Sequence, residues 1–218
     1  MNPALPSPRP GRPGSLLSLA APALLAVLFA LAGPQGLDRW AFDRAAVAAG
    51  QAWRLASGHL VHCDASHLGW NLAGLLVLGL LFYPHLGRRL LAALVAGALA
   101  VDAWLWWLSG LDRYCGLSGA LNGILAAGLL AWWREDRSWP VPVVAALCLA
   151  KIAVESAVGA ALFTETAWPA APLAHAAGFA GGLAGEALAG RRGKFPNILK
   201  PIRASRMPDA ATRSHDPA

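Results

Sequence analysis

Long stretches of the chain carry almost no charged residues, and their lengths fit a lipid bilayer. A helix needs about 20 residues to cross the hydrocarbon core of a membrane. Six such stretches are present: residues 13–37, 68–84, 90–111, 114–133, 138–160 and 166–185. The pattern therefore predicts an all-α integral membrane protein, built as a bundle of six transmembrane helices.

The composition excludes an ordinary soluble domain. Of 218 residues, 56% are hydrophobic and only 14% are charged, which leaves too little polar surface to cover a soluble protein of this size. The first apolar stretch contains Ala30-Leu31-Ala32, which resembles a signal-peptidase site. The apolar region before it is longer than a usual signal core, so we predict a retained first span.

Clusters of basic residues predict how the bundle is oriented, because positively charged loops stay in the cytoplasm. They lie before the first span, after the second, after the fourth and after the sixth: Arg9, Arg12, Arg88, Arg89, Arg134, Arg137, Arg191, Arg192 and Lys194. Both termini are thus predicted to be cytoplasmic, with a tail at 1–14, a membrane domain at 15–190 and a basic tail at 191–218. This topology explains the net charge of +6 without a nucleic-acid partner.

The connection from about residue 36 to 66 is the one sizeable outer loop in this topology. It contains Trp53, which suits the membrane interface, and Arg54, which we expect to anchor the loop rather than contact a substrate. Cys63, Cys115 and Cys148 give an odd number of cysteines without metal-type spacing. We assign them no function.

Four polar side chains are predicted to share the outer leaflet. Polar groups inside a span are costly, so each is a candidate for function. Ser118 and His175 are expected about 6 Å and 10 Å below the outer ends of the fourth and sixth helices, at 1.5 Å per residue. His67 and Asn71 stack on one face of the second helix. A shared, water-accessible cavity would explain all four.

These residue types suit nucleophilic catalysis. A serine hydroxyl needs a base to take its proton, and His175 can do so for Ser118. His67, Asn71 and the backbone N–H of Ser118 can donate hydrogen bonds to an oxyanion. No aspartate is expected near the pair, so packing or a neighbouring hydroxyl would orient His175.

Small residues accompany both members of the pair. Gly116 and Gly119 flank Ser118 and permit close approach of the backbone. Gly178 and Gly182 form a small-residue face on the sixth helix that allows tight packing. If the neighbour on that face is the fourth helix, the serine and the histidine meet.

Each of these residues also has a structural explanation. Ser118 could bond to the carbonyl one turn back, and His175 could be an interhelical histidine. His59, His62 and His67 could hold zinc, but no carboxylate or cysteine completes that site, so we expect neither a metal nor a cofactor. Lys151 and Glu155 could form a neutralising ion pair or a recognition device. Asp102 is expected on an interior helix face, with no partner assigned.

The motifs together resemble the rhomboid family of intramembrane serine proteases over about residues 50–185. They are Trp53-Arg54, the segment from His62 to His67, Asn71, Gly116-Leu117-Ser118-Gly119 and the segment from Ala174 to Gly182. The resemblance implies a six-helix rhomboid-like bundle. It also implies that Ser118 is the nucleophile, His175 the base, His67 and Asn71 the oxyanion stabilisers, and His62 a structural histidine.

The sequence is most similar to the rhombosortase branch. The added motifs are Gly58-His59-Leu60-Val61-His62, Asn71-Leu72-Ala73-Gly74-Leu75, Tyr114-Cys115 before the serine motif, and Lys151 with Glu155. One departure is Asn122, where the branch often has histidine. The resemblance implies a bacterial inner-membrane enzyme whose substrates carry a C-terminal glycine-rich motif, a hydrophobic helix and a basic tail.

Other classes of protein fit less well. A metallo-type intramembrane protease needs His-Glu-x-x-His, and an aspartyl type needs two intramembrane aspartates; the sequence has neither pattern. A transporter would show paired broken helices. A general rhomboid protease with other substrates, or an inactive rhomboid-like protein that binds membrane helices, stays open as an alternative. The oligomeric state and the use of an acyl acceptor other than water are also left open.

Overall fold

The computed structural model describes residues 14–162 and 167–192, and these residues are mostly helical. The predicted tails at 1–14 and 191–218 fall almost entirely outside this range. The described elements are α1 (Gly14–Leu31), α2 (Gly33–Trp40), β1 (Phe42–Asp43), α3 (Arg44–Ala48), α4 (Trp53–Gly58), α5 (Ala65–Leu86), α6 (Arg89–Trp107), β2 (Arg113–Tyr114), α7 (Ser118–Asp136), α8 (Pro140–Val158) and α9 (Pro172–Arg192).

Several of these helices qualify as membrane spans. Among the described residues, α5, α6 and α8 are long and apolar enough to cross a bilayer. The pair α1 and α2 would add a fourth span, although the two helices are bent by 120° at their junction. The prediction of a helical membrane protein is therefore confirmed. By length and composition, however, three or four spans are supported rather than six.

The two helices α7 and α9 are long enough to cross a bilayer, but their composition is less apolar than that of the helices counted as spans. They have 19 and 21 residues and are rich in alanine and glycine, which are less hydrophobic than leucine or valine. Both helices pack against α6, and they pack against each other. Ten residues of α7 are buried. A helix enclosed by protein does not need large apolar side chains to face lipid, and small residues let its neighbours come close.

Three helix boundaries differ from the prediction. The stretch 13–37 is not one helix, because the chain turns at Gly33, which has a φ of 62° and is followed by Pro34. The stretch 114–133 becomes helical only at Ser118, after Gly116 with a φ of 109°. The last helix begins at Pro172, a residue suited to a helix start. Ser118 and His175 therefore lie in the first turns of their helices, and the predicted depths below the helix ends were wrong.

The predicted outer loop contains the second half of α2, followed by β1, α3 and α4. The two short strands pair antiparallel, with Phe42 opposite Tyr114 and Asp43 opposite Arg113. This pairing was not predicted, because two residues are too few to show an alternating pattern. It joins the outer loop to the segment directly before Ser118.

Buried polar contacts fix the same loop. The Arg54 side chain is 9% exposed, and its Nη1 atom donates to the carbonyls of Asp38 and Ala41, each at 2.9 Å. His59 Nε2 lies 3.0 Å from Asp102 Oδ1 on α6, which supplies the partner that the sequence did not assign to Asp102. The loop is thus attached to the helical bundle at more than one point.

His62 is buried in this loop, and its ring centroid lies 4.9 Å from that of His67. Burial, with a smaller contribution from the neighbouring His67, lowers the pKa of His62 from 6.5 to about 4. The imidazole is therefore neutral in the folded protein at neutral pH.

The closest helix contact of the bundle joins α9 to α7 through glycines. A Cβ atom added at Gly178 would lie 1.8 Å from the carbonyl oxygen of Gly119, and one added at Gly182 would lie 2.0 Å from that of Gly123. Neither position has room for even a methyl group. The neighbour of the small-residue face on α9 is therefore α7.

We predict that Gly182→Ala lowers the thermal stability of the purified protein in detergent. The added methyl would collide with backbone that cannot rotate away, and such overpacking costs about 1–3 kcal/mol. The control is Gly69→Ala on α5, where an added Cβ has no atom within 4 Å. Alanine favours a helix over glycine by about 1 kcal/mol, so the control should be neutral or stabilising. Equal melting temperatures for the two variants would contradict the packing described here.

We also predict a pH-dependent contribution of His62 to stability. Because its pKa is lower in the folded than in the unfolded chain, the unfolded chain binds an extra proton as pH falls below 6.5. Stability is then lost progressively down to about pH 4, by a total on the order of 3 kcal/mol. Thermal unfolding of wild type and His62→Gln should show wild type losing more stability between about pH 7 and about pH 4. Parallel pH curves would refute this prediction.

Candidate active site

Ser118 and His175 form a hydrogen-bonded pair at the start of two adjacent helices. The Oγ atom of Ser118 lies 3.0 Å from Nε2 of His175. Ser118 is the first residue of α7, so there is no helical turn behind it whose carbonyl its hydroxyl could reach. His175 lies in the first turn of α9, with 17% of its side chain exposed.

The segment before Ser118 holds the backbone in a fixed turn. The amide of Gly116 donates to the carbonyl of Gly58 at 3.0 Å, and the hydroxyl of Tyr114 donates to the carbonyl of Gly116 at 3.0 Å. The left-handed φ of Gly116 changes the chain direction from β2 into α7. The first N–H groups of a helix have no partner within the helix, so the turn leaves polar backbone groups beside the serine.

The pair opens into a cavity of about 730 Å³ that lies between α5 and α8. Trp70 and Gly74 contribute from α5, and Cys148 and Ile152 contribute from α8. The other residues with polar groups that line it are Cys63, His67, Asn71, Asp112, Arg113, Tyr114, Cys115, Ser118, Asn122, Lys151, Trp168 and His175. The four residues that the sequence predicted to share a cavity therefore all line this one.

His67 is fixed against the serine loop. Its backbone N–H is capped by Oδ1 of Asp64 at 2.7 Å, and its ring lies on Gly116, where an added Cβ would be 2.5 Å from Nε2. Its Nδ1 atom lies 3.3 Å from Sγ of Cys63. Any side chain at position 116 would therefore displace the imidazole.

Asn71 is buried one turn further along α5. Its side-chain amide donates to the carbonyl of His67 at 2.8 Å, while its Oδ1 atom has no hydrogen-bond partner. An amide nitrogen has two N–H groups, so one remains for a ligand in the cavity. Asn122, the departure from the branch pattern, donates to the carbonyl of Ser118 at 2.9 Å.

One residue beside His175 was missed. An aspartate near the pair was looked for in the sequence and none was expected, but Oε2 of Glu155 on α8 lies 3.6 Å from Nδ1 of His175, and the Glu155 side chain is 1% exposed. The signal was available, because Glu155 lies near the outer end of the fifth predicted span and His175 near the outer end of the sixth. The approach of Glu155 to His175 was missed because Glu155 was interpreted only as the partner of Lys151.

Lys151 and Glu155 do form a contact. Nζ of Lys151 donates to Oε1 of Glu155 at 2.6 Å, and the backbone N–H of Leu162 donates to the same oxygen at 3.0 Å. Oε1 therefore accepts two hydrogen bonds. Oε2, the oxygen that faces His175, has no hydrogen-bond partner.

The structure also groups His67 with two cysteines. One ligand atom each from Cys63, His67 and Cys115 lies within 4.8 Å of the others. The sequence instead combined His67 with His59 and His62. Thiolates and imidazole are zinc ligands, but burial raises the pKa of both Cys63 and Cys115. These thiols would have to lose protons before they could bind such an ion.

The remaining predicted residues lie around the site rather than in it. Trp53 is half exposed, and Arg54 binds loop carbonyls as described above. Gly119 has no room for a side chain, since an added Cβ would lie 2.8 Å from Val101 and 2.9 Å from the Tyr114 hydroxyl.

Comparison with models of protein families gives a match to most of the chain. A family model described as the rhomboid domain matches residues 49–192, which is about two thirds of the chain and includes Ser118 and His175. No curated protein matches the chain. The match covers α4 to α9, the whole cavity and both helices that carry the hydrogen-bonded pair. The chain therefore belongs to the rhomboid family, whose members are generally intramembrane serine proteases.

Proposed function

We propose that this protein is an active intramembrane serine endopeptidase of the rhombosortase type. The observation that carries the proposal is the 3.0 Å contact between Ser118 Oγ and His175 Nε2, within a cavity that opens between two helices. A serine whose hydroxyl bonded only to a backbone carbonyl of its own helix would have no general base to remove its proton. Here an imidazole is within reach of the hydroxyl proton.

In the proposed reaction, Nε2 of His175 removes the hydroxyl proton as Oγ of Ser118 attacks the carbonyl carbon of the scissile peptide bond. The carbonyl π electrons move to oxygen and form an oxyanion. His175 then gives its proton to the leaving amine as the C–N bond breaks, which leaves an ester on Ser118. Water, deprotonated by His175, hydrolyses the ester and regenerates the hydroxyl.

The oxyanion is proposed to be stabilised by three groups around the serine. The backbone N–H of Ser118 belongs to the start of α7, where the helix dipole is positive. The second N–H of the Asn71 amide and Nε2–H of His67 would complete the set. Such donors act strongly in a site shielded from bulk water.

We place the site on the outer side of a bacterial inner membrane, with both termini in the cytoplasm. The basic residues after α5 and after α7 support this orientation, because they lie at the ends of the bundle opposite Ser118. We also propose that α7 crosses the membrane largely enclosed by the other helices, and that α9 crosses it beside α7 with Leu183 and Leu188 on an exposed face. Together with α5, α6, α8 and the bent pair α1 and α2, they would make six spans.

The proposed substrates are exported proteins with a C-terminal glycine-rich motif, a hydrophobic helix and a basic tail. The space between α5 and α8 would admit such a helix from the side. The peptide bonds of a helix are engaged in its own hydrogen bonds, so the substrate must unwind locally before attack. Glycine makes this unwinding easier, because it is a poor helix former.

We predict that wild type cleaves a membrane-anchored reporter of this design when the two are co-expressed, and that Ser118→Ala and His175→Ala do not. The matched control is Ser156→Ala on α8, whose hydroxyl donates only to a carbonyl of its own helix, that of Ile152, at 2.7 Å. This control should cleave like wild type. Immunoblots of the released product measure the outcome, with equal membrane levels of every variant as a requirement.

Two other results would each favour a different function for this protein. A wild type that ignores this reporter but cleaves other single-span proteins at Ser118-dependent sites would be a general rhomboid protease. A wild type that cleaves neither, or a Ser118→Ala variant that still cleaves, would contradict the proposed activity and favour an inactive binder of membrane helices.

We further predict that replacing the reporter glycines by leucine reduces cleavage at least tenfold. Leucine favours a helix over glycine by about 1 kcal/mol at each position. Two or three such changes therefore raise the free energy of unwinding by more than a tenfold loss of rate requires. Replacement of an equal number of residues at the far end of the reporter helix is the control. Equal cleavage of both reporters would count against the unwinding step.

A further inference from the structure

We infer that Glu155 is a positioning residue for His175, so that the active site is a Ser118–His175–Glu155 triad rather than a pair. This inference rests on the proposed function and deepens it. It assigns Glu155 a role beyond pairing with Lys151, and that role follows from three features of the carboxylate.

The first feature is the unequal use of the two carboxylate oxygens. Oε1 of Glu155 accepts hydrogen bonds from Lys151 Nζ and from the backbone N–H of Leu162. Oε2 accepts none, although it is buried. A buried polar atom without a hydrogen-bond partner is destabilising, and such an atom is tolerated most readily where it has a functional partner.

The second feature is the direction of the free oxygen. Oε2 lies 3.6 Å from Nδ1 of His175, about 0.4 Å beyond the usual N–H···O range. Catalytic hydrogen bonds are often long in the absence of substrate and shorten in the complex. A small side-chain rotation of Glu155 or His175 would close this gap without any change in the backbone.

The third feature is the burial of Glu155, the acidic residue of the Lys151–Glu155 ion pair. An ion pair that only helped α8 to enter the membrane would not require its carboxylate to face the bundle. Yet the Glu155 side chain is 1% exposed, whereas that of Lys151 is 37% exposed. The carboxylate is therefore directed into the protein, towards α9, and its positive partner lies nearer the cavity.

The chemical consequence concerns the tautomer of His175. To accept the proton of Ser118, the Nε2 atom must be unprotonated, so the single proton of the neutral ring must lie on Nδ1. Which ring nitrogen is protonated depends on the hydrogen bond that the other one makes. A carboxylate at Nδ1 accepts that proton's hydrogen bond, fixes the ring orientation and stabilises the imidazolium that forms during attack. The proton stays on Nδ1 throughout.

The test compares Glu155→Gln with wild type on the glycine-rich reporter, using purified proteins in detergent. Glutamine keeps the size of the side chain and removes its charge. We expect kcat to fall by about 10²-fold, with KM within about twofold, because the carboxylate acts on the imidazole and not on the substrate. The matched control is Glu186→Gln, since Glu186 is also buried and paired, with Arg89, at the other end of the bundle. Its kcat should stay within about twofold of wild type.

A second measurement determines the tautomer of His175 in the wild-type protein and does not require Glu155→Gln to fold. In protein labelled with ¹⁵N-histidine, the ¹⁵N chemical shifts of His175, assigned by comparison with His175→Ala, report which ring nitrogen carries the proton. We expect wild type to show protonated Nδ1 and unprotonated Nε2 at neutral pH. In Glu155→Gln the second tautomer should appear.

The outcomes separate the two proposals. If Ser118→Ala is inactive while Glu155→Gln keeps wild-type kcat, the triad is overturned and the proposed protease stands. If wild-type His175 carries its proton on Nε2, the triad is overturned even when Glu155→Gln does not fold. Cleavage by Ser118→Ala overturns the proposed function itself.

Discussion

The contact on which the rest of this structure depends is the glycine-to-backbone packing of α9 on α7. Gly178 and Gly182 lie so close to the carbonyls of Gly119 and Gly123 that no side chain fits between the two helices. In lipid there is no hydrophobic driving force for helices to associate, so close van der Waals contact of this kind has to hold them. It also determines where their first turns lie, and those turns carry Ser118 and His175.

The outer loop completes what the helix packing begins. The β1–β2 pairing, the carbonyls bound by Arg54 and the contact of His59 with Asp102 hold the chain just before α5 and α7. The position of a serine at the start of a helix depends on the turn that precedes it. In this protein the turn at Gly116 is fixed by the Gly58 carbonyl, the Tyr114 hydroxyl and the ring of His67. The start of α7 is thus held in place by hydrogen bonds and close contacts from the outer loop and from α5.

Much of this arrangement could be predicted from the sequence. Charge-poor stretches indicated a helical membrane protein, and the predicted spans and their orientation indicated that Ser118, His175, His67 and Asn71 share one end of the bundle. The bend at Gly33 and the late starts of α7 and α9 could not be read from hydropathy, because apolar residues continue across the turns. Glycine or proline lies at these turns, but the presence of such a residue identifies a turn only when the surrounding backbone is known.

The contacts of individual side chains were harder to predict than the end of the bundle at which they lie. Glu155 was assigned to Lys151 because residues four apart on a helix are neighbours by construction, whereas its approach to His175 depends on how α8 packs against α9. The same applies to Asp102, whose partner lies 43 positions away in the chain. Long-range partners of this kind follow from the packing of helices, which a single sequence does not specify.

The central claim, that Ser118 is activated by His175, is tested most directly by locating a covalent adduct. Membranes containing the protein would be treated with a fluorophosphonate probe, and the modified residue identified by mass spectrometry of the digested protein. The account predicts a single adduct on Ser118 that disappears in His175→Ala while the protein level stays the same. An adduct on another serine, or equal labelling of Ser118 without His175, would contradict it.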